Sequence, residues 1–172
     1  LKSGSDIRGV AIATPERDAE LTERVGAAVG TAFARYLSAK TGKPAKDLTI
    51  AVGRDSRVTG ESLAAALLRG LSEETRSLLN CGLCTTPAMF MTTKLLSADG
   101  AVMVTASHLP WQRNGYKFFT REGGLSGMDI AAILEAASAL SPTDSAFEAE
   151  KVDFLSVYSD FLREKAYAAL GR

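Results

Sequence analysis

Short apolar runs of strand character alternate with amphipathic stripes along this chain, and that alternation limits its fold more than any other feature. Strand-like runs fall within Ser5–Ile12, at Leu48–Val52, Ala101–Thr105 and Tyr116–Thr120, and at Arg76–Asn80, where a helix fits as well. Between them, apolar residues recur every three or four positions. Leu21, Val25, Ala28, Val29, Ala32, Phe33, Tyr36 and Leu37 form a first stripe, capped by Thr22 or Asp18 and ended by Gly42-Lys43-Pro44. Thr59-Gly60-Glu61 opens a second helix, with Leu63, Ala64, Leu67, Leu68 and Leu71 on its inner face. Thr86-Pro87 starts a third, with Thr86 as N-cap and Pro87 in the first helical position. Ser126 and Asp129 give an S-x-x-D capping signal for a fourth, predicted to bury Met128, Ile130, Ile133, Leu134, Ala137 and Leu140. The order β-α-β-α-β-α-β-β-α argues for a three-layer αβα fold. Its mixed sheet is expected to be four-stranded and mostly parallel, with one antiparallel strand from the last hairpin and helices on both faces.

Residues 1–140 read as one α/β domain. Ser141–Glu150 is polar, contains proline and has no period, which predicts a linker. Beyond it Phe154, Val157, Tyr158, Phe161, Leu162, Lys165, Ala168 and Ala169 mark one more amphipathic helix, which either folds back or docks on a further domain. The chain opens on Leu rather than Met, which predicts a piece of a longer protein.

Twenty Lys and Arg balance twenty Asp and Glu, so no net field draws in nucleic acid or an anionic membrane. The apolar stretches are shorter than a membrane span, and no targeting segment is visible. Cys81 and Cys84 form C-G-L-C, a spacing used by redox enzymes and by half of some zinc sites. With one distant histidine and no other cysteine, a four-ligand zinc site is not completed. Two half-buried structural thiols are expected in preference to a redox pair.

The stretch AVMVTASHLPWQRNGYKFFT, Ala101–Thr120, carries the chemistry. A strand leads into a polar loop holding Ser107 and His108, the chain's only histidine. Asn114-Gly115 tolerates positive φ and is expected to form the turn back into the second strand. Adjacent residues rarely place their side chains for a mutual hydrogen bond, no G-x-S-x-G surrounds the serine, and no second histidine exists. A serine hydrolase is therefore disfavoured. Arg113 and Lys117 lie close in sequence, and Arg8, Arg54 and Arg57 sit near the ends of other strands. Parallel neighbours would bring these cations to one rim. A serine among cations suits phosphoryl transfer, where positioning and charge neutralisation do most of the catalysis. Residue by residue the alternatives stay open: Asp6 and Arg8 also read as solvated, Arg54 and Arg57 as ion partners of Asp55, and the loop as an ordinary polar one.

Thr105-Ala106-Ser107-His108-Leu109-Pro110 followed by Asn114-Gly115-Tyr116-Lys117-Phe118 resembles the active-serine loop of the α-D-phosphohexomutases, the phosphoglucomutase/phosphomannomutase superfamily. Asp6-Ile7-Arg8-Gly9, Gly53-Arg54-Asp55-Ser56-Arg57 and Thr86-Pro87-Ala88 are similar to further family motifs in the same order. The resemblance implies that Ser107 is a phosphoserine that passes its phosphate to a hexose phosphate and recovers it from a hexose bisphosphate. It implies that Lys117 and Arg8 are active-site cations and that His108 orients the serine. Arg54, Asp55 and Arg57 would support the loop; on the residues themselves, Arg54, Arg57 and Arg113 are the candidates to bind substrate or phosphate. Ser107 would give Mg²⁺ one ligand through its phosphate, and the other ligands are absent from this chain. The enzyme implied is an isomerase, an intramolecular phosphotransferase acting on hexose phosphates, with residues 141–172 leading toward a second domain. This piece alone is expected to lack full activity. Leu109 stands where the family usually has Asn, and the T-A-S-H-L-P form resembles plant, algal and protist phosphoglucosamine mutase-like members. A cytoplasmic location is expected, or a plastid for a plant or algal source. A non-catalytic binding or scaffolding domain that keeps the fold is the alternative.

Overall fold

Val102 and Val104 point to one face of the central sheet, Ala101 and Met103 to the other, and all four are buried. That alternation along one strand explains the two hydrophobic cores. The computed structural model describes residues 1–171. Its strands are β1 (Lys2–Ser3), β2 (Asp6–Val10), β3 (Thr49–Arg54), β4 (Ser77–Leu83), β5 (Gly100–Val104), β6 (Arg113–Thr120), β7 (Gly123–Gly124) and β8 (Glu150–Lys151). Its α-helices are α1 (Glu23–Thr41), α2 (Gly60–Ser72), α3 (Thr86–Leu95), α4 (Gly127–Ser138) and α5 (Phe154–Ala169).

The sheet runs β1-β2-β6-β5-β3-β4-β8, with β7 paired to β6. The three-layer αβα class is as expected, but the sheet is wider than four strands. Among the five long strands only β6 runs against the others, since it pairs antiparallel with both β2 and β5 while β3 pairs parallel with β4 and β5. Helices α1, α2 and α4 cover one face, where Phe33, Leu37, Leu67 and Ile133 meet Ile7, Ile50, Val52, Val102 and Phe118. Helices α3 and α5 lie on the other, where Met89 and Phe154 meet Ala51, Ala101, Met103 and Phe119. Gly70 lets α1 and α2 close on each other, because a Cβ there would run into the carbonyl oxygen of Ala27.

Local signals account for several helix ends. Thr22 accepts a hydrogen bond from Val25 N at 3.3 Å, and Gly42 closes α1 in the left-handed region at φ 71°. Ser126 and Asp129 form the reciprocal capping box expected of them. Four expectations are corrected. The N-cap of α3 is Thr85, one residue earlier than Thr86, which leaves Pro87 in the first turn where its missing N–H costs nothing. Met128 is 81% exposed, because it stands on the outer side of the first turn of α4. Asn114-Gly115 does not turn; both residues are buried within β6.

The fourth correction concerns the linker, which is strapped down. Glu73 accepts from Thr31 Oγ1 at 2.9 Å, and from Thr143 N and Oγ1 at 2.9 and 2.8 Å. These bonds, with Arg35 nearby, hold its carboxyl below the usual range against the opposing effect of burial. Arg69 pairs with Asp144, and β8 then adds to the sheet beside β4. Helix α5 folds back by its N-terminal part, with Phe154 buried and Tyr158 half-buried against the same core, while Leu162 and Tyr167 are about half exposed. No helix among the described residues is long and apolar enough to cross a membrane.

Candidate active site

Chain continuity places Ser107 at the C-terminal end of β5, the usual position for a ligand-handling loop in an α/β sheet. Thr105 continues the ladder, with its N–H on Gly115 O at 2.9 Å, and its Oγ1 accepts the Ser107 N–H at 2.9 Å. Ser107 itself is left-handed at φ 56°, uncommon for a residue with a Cβ, and both it and His108 are exposed. Two turns complete the loop, Leu109 N to Ala106 O at 3.1 Å and Arg113 N to Pro110 O at 3.0 Å.

One guanidinium holds these turns together. Arg57 Nη1 donates to Pro110 O at 3.0 Å and Arg113 O at 2.9 Å, while Nη2 donates to Ser107 O at 2.8 Å and Leu109 O at 2.6 Å. Its Nε faces Asp55 Oδ2 at 3.5 Å, and Asp55 Oδ1 accepts from Arg57 N at 3.0 Å. Asp55 is itself tied to β5 through Val104 O at 3.1 Å. The donors of Arg57 are thus spent on the serine loop, so this residue supports the loop and has no terminal N–H left over for a phosphate.

Asp6 is the residue that sequence reasoning missed. It is 5% exposed, and its two oxygens take Lys117 Nζ and Arg8 Nη2 at 2.7 Å each. The solvated reading of Asp6 and Arg8 fails because Asp6 sits directly across the ladder from Lys117, 111 residues away in sequence. Arg8 pairs with Gly115. A Cβ at Gly115 would stand 2.8 Å from Arg8 Cγ and 2.9 Å from Thr105 O, so glycine lets the arginine stem lie against the base of the serine loop. Asn114 Nδ2 reaches Thr59 Oγ1 at 3.0 Å on the opposite face. Asn114-Gly115 therefore serves close packing on both sides of β6.

The cations do not all meet. Alternation puts Arg8, Arg113 and Lys117 on one face at β2 and β6. Arg54 stands two strands away on the α2 side, paired with the exposed Glu61 at 3.3 Å and bordering a cleft with Asn80, Gly82 and Phe147. Ser107 Oγ and His108 Nδ1 are 3.4 Å apart, too long for the hydrogen bond an activated nucleophile needs. The arrangement offers an exposed hydroxyl at the head of a fixed loop, with paired cations beside its base. A hydroxyl so placed can carry a phosphoryl group between acceptors.

Cys81 and Cys84 belong to the α3 core and are buried more deeply than expected, at 5% and 6% exposure. Burial pushes the Cys81 thiol up to about 12 and the Cys84 thiol up to about 11, so neither is the accessible thiolate a redox pair requires. Both folded values lie above the ordinary value of 9.0. Their contribution to stability is complete below pH 9.0 and is lost as pH rises through about 11 and about 12. Alkylation at pH 8.0 is expected to leave the folded protein unmodified and to label both thiols after unfolding; rapid labelling of the folded protein would contradict this burial. Among the described residues, no group of three or more His, Cys, Asp or Glu is placed to hold a metal ion.

The family model for the phosphoglucomutase/phosphomannomutase alpha/beta/alpha domain I matches residues 1–142. A phosphoglucosamine mutase of Thermoanaerobacter sp. (strain X514) is 36% identical over 121 residues, covering 70% of this chain and 25% of that protein. A phosphoglucosamine mutase of Mycobacterium tuberculosis (strain ATCC 25177 / H37Ra) is 41% identical over 117 residues, covering 67% and 24%. Among solved structures, a candidate phosphomannomutase from Thermus thermophilus aligns with a TM-score of 0.76 at 25% identity, over 96% of this chain and 35% of that one. A phosphoglucomutase/phosphomannomutase family protein from Burkholderia thailandensis shares the fold with a TM-score of 0.71 at 24% identity, over 92% and 34%. The chain spans about a quarter of the length of the two mutases.

Proposed function

The chain belongs to the phosphoglucomutase/phosphomannomutase family as its α/β/α domain I, and from that premise we propose that Ser107 is the phosphoryl carrier of a phosphohexomutase. The observation that carries this reading is the exposed, left-handed Ser107 on a loop fixed by Arg57, beside the Lys117–Asp6–Arg8 array.

In the proposed cycle a hydroxyl oxygen of a hexose phosphate attacks the phosphorus on Ser107. The bond to Ser107 Oγ breaks, the proton of the sugar hydroxyl passes to Ser107 Oγ, and a hexose bisphosphate forms beside a free serine hydroxyl. Turned end for end, the bisphosphate returns its other phosphoryl group to Ser107 and leaves as the isomer. Lys117 and Arg8 counter the charge on the transferring oxygens, and Lys117 has the N–H donors to assist the proton's passage. His108 orients the serine side chain from beside it. Arg57 enters only by fixing the loop, and Arg54 lies outside this array.

Mg²⁺ needs near-octahedral oxygen coordination, and the described residues hold no cluster of three or more His, Cys, Asp or Glu placed for it. They do not fit the ion by themselves. A phosphate on Ser107 would add one ligand, and the remaining ligands would come from other parts of the same polypeptide, which would also complete the binding of the hexose phosphate.

Ser107→Ala in the longer protein is expected to abolish isomerisation of hexose 1- and 6-phosphates, a loss of about a thousandfold or more. A variant with wild-type turnover would remove Ser107 from the chemistry.

A further inference from the structure

Among the described residues, three buried side-chain polar atoms lack a hydrogen-bond partner: Arg8 Nε, Gln112 Oε1 and Arg113 Nε. All three lie on β2 or on the chain entering β6, beside the serine loop. Arg113 is the most exceptional. It is half-buried, yet its guanidinium makes no ion pair and donates no side-chain hydrogen bond, and the other described arginines without an acceptor, Arg24 and Arg76, are exposed. Only the Arg113 Nε is closed off from water, while the terminal nitrogens stay open to solvent; a buried donor left unpaired beside an open guanidinium edge calls for an acceptor, and a cation favours an anionic one.

The register says where that anion would sit. Val10 pairs with Arg113, Arg8 with Gly115 and Asp6 with Lys117. Arg113 and Lys117 therefore flank Arg8 on one face of the sheet, and Gly115 lets the Arg8 stem lie between them. Asp6 neutralises the Lys117 end of this row. Among the described residues, no carboxylate lies within ion-pair distance of the Arg113 end. Its backbone is fixed all the same, through Arg113 O on Arg57 at 2.9 Å and Arg113 N on Pro110 O at 3.0 Å.

We infer that Arg113 is a receptor for a phosphate monoester, with Arg8 Nε turned to the same face as a second donor. A planar guanidinium matches two phosphate oxygens at once, which an ammonium does not. This inference rests on the proposed phosphoryl-transfer reading, and two sources share the chemistry: the phosphate on Ser107 and the phosphate of a hexose phosphate.

Calorimetric titration of the 172-residue protein with inorganic phosphate at low ionic strength is expected to show saturable binding. Arg113→Gln should weaken it about tenfold or more, and Arg113→Lys should weaken it less. Because the side chain has no partner to lose, melting temperatures should stay close to the parent's and verify the fold. Phosphoserine installed at position 107 separates the sources. Binding of added phosphate is blocked if the Ser107 phosphate occupies Arg113. It persists, and glucose 6-phosphate competes with it, if the substrate's phosphate does. Either result supports the receptor. Absence of saturable binding, or equal affinity in a folded Arg113→Gln protein, overturns it. The titration needs no turnover, so it can fail while Ser107 is still found to carry phosphate, and can succeed where Ser107 is found bare.

Discussion

Asp6→Asn is expected to destabilise the protein by about 3 kcal/mol, because two half-buried cations lose the buried carboxylate they share and are left beside a neutral amide. Asp6 is the common partner of Arg8 and Lys117, and its side chain is only 7% exposed. In a protein of this size the loss should lower the melting temperature by roughly 6–12 °C. High salt should not reproduce the effect in the parent protein, since a buried pair is screened far less than a surface one. Thermal unfolding at neutral pH, in low and high salt, measures both. A shift below about 1 kcal/mol would mean that these ion pairs behave like exposed ones. In the longer protein the same substitution should reduce turnover, because Lys117 and Arg8 lose the group that sets their positions.

Arg57→Ala is expected to loosen the serine loop and to reduce turnover of the longer protein by roughly a hundredfold, the scale on which small misplacements of reacting groups are felt. Four backbone carbonyls lose their donor at once, so hydrogen exchange of the amides in 106–113 should quicken while α1 and α2 keep their protection. Arg57→Lys should not rescue either property. An ammonium presents its donors from one point and cannot span Ser107, Leu109, Pro110 and Arg113 together. Full activity in Arg57→Lys would show that the positive charge matters and the four bonds do not.

What sequence could reveal depended on whether the cause was local. The capping box at Ser126, the left-handed stop at Gly42 and the α1 stripe are local patterns, and each is found where the spacing puts it. The serine loop was legible because its residue types are concentrated in one stretch. Asp6 was not, because its partner Lys117 becomes a neighbour only when β2 and β6 pair. Asn114-Gly115 misled for a related reason. Glycine serves positive φ and close approach equally well, and only the third dimension shows that Arg8 and Thr105 crowd Gly115. Arg57 and Arg54 look alike in G-R-D-S-R, yet alternation and the turn after β3 send one to the serine loop and the other toward Glu61. Ser141–Glu150 has the composition of a free linker, but Glu73, Arg69 and the edge of β4 hold it to the domain.

The most direct measurement is peptide mass mapping of Ser107 in the longer protein, before and after exposure to substrate. The phosphoryl-carrier reading predicts one phosphate on the Ser107 peptide, removed by excess hexose phosphate and restored by hexose bisphosphate. A Ser107 peptide that stays unphosphorylated while the protein turns over hexose phosphates would contradict it.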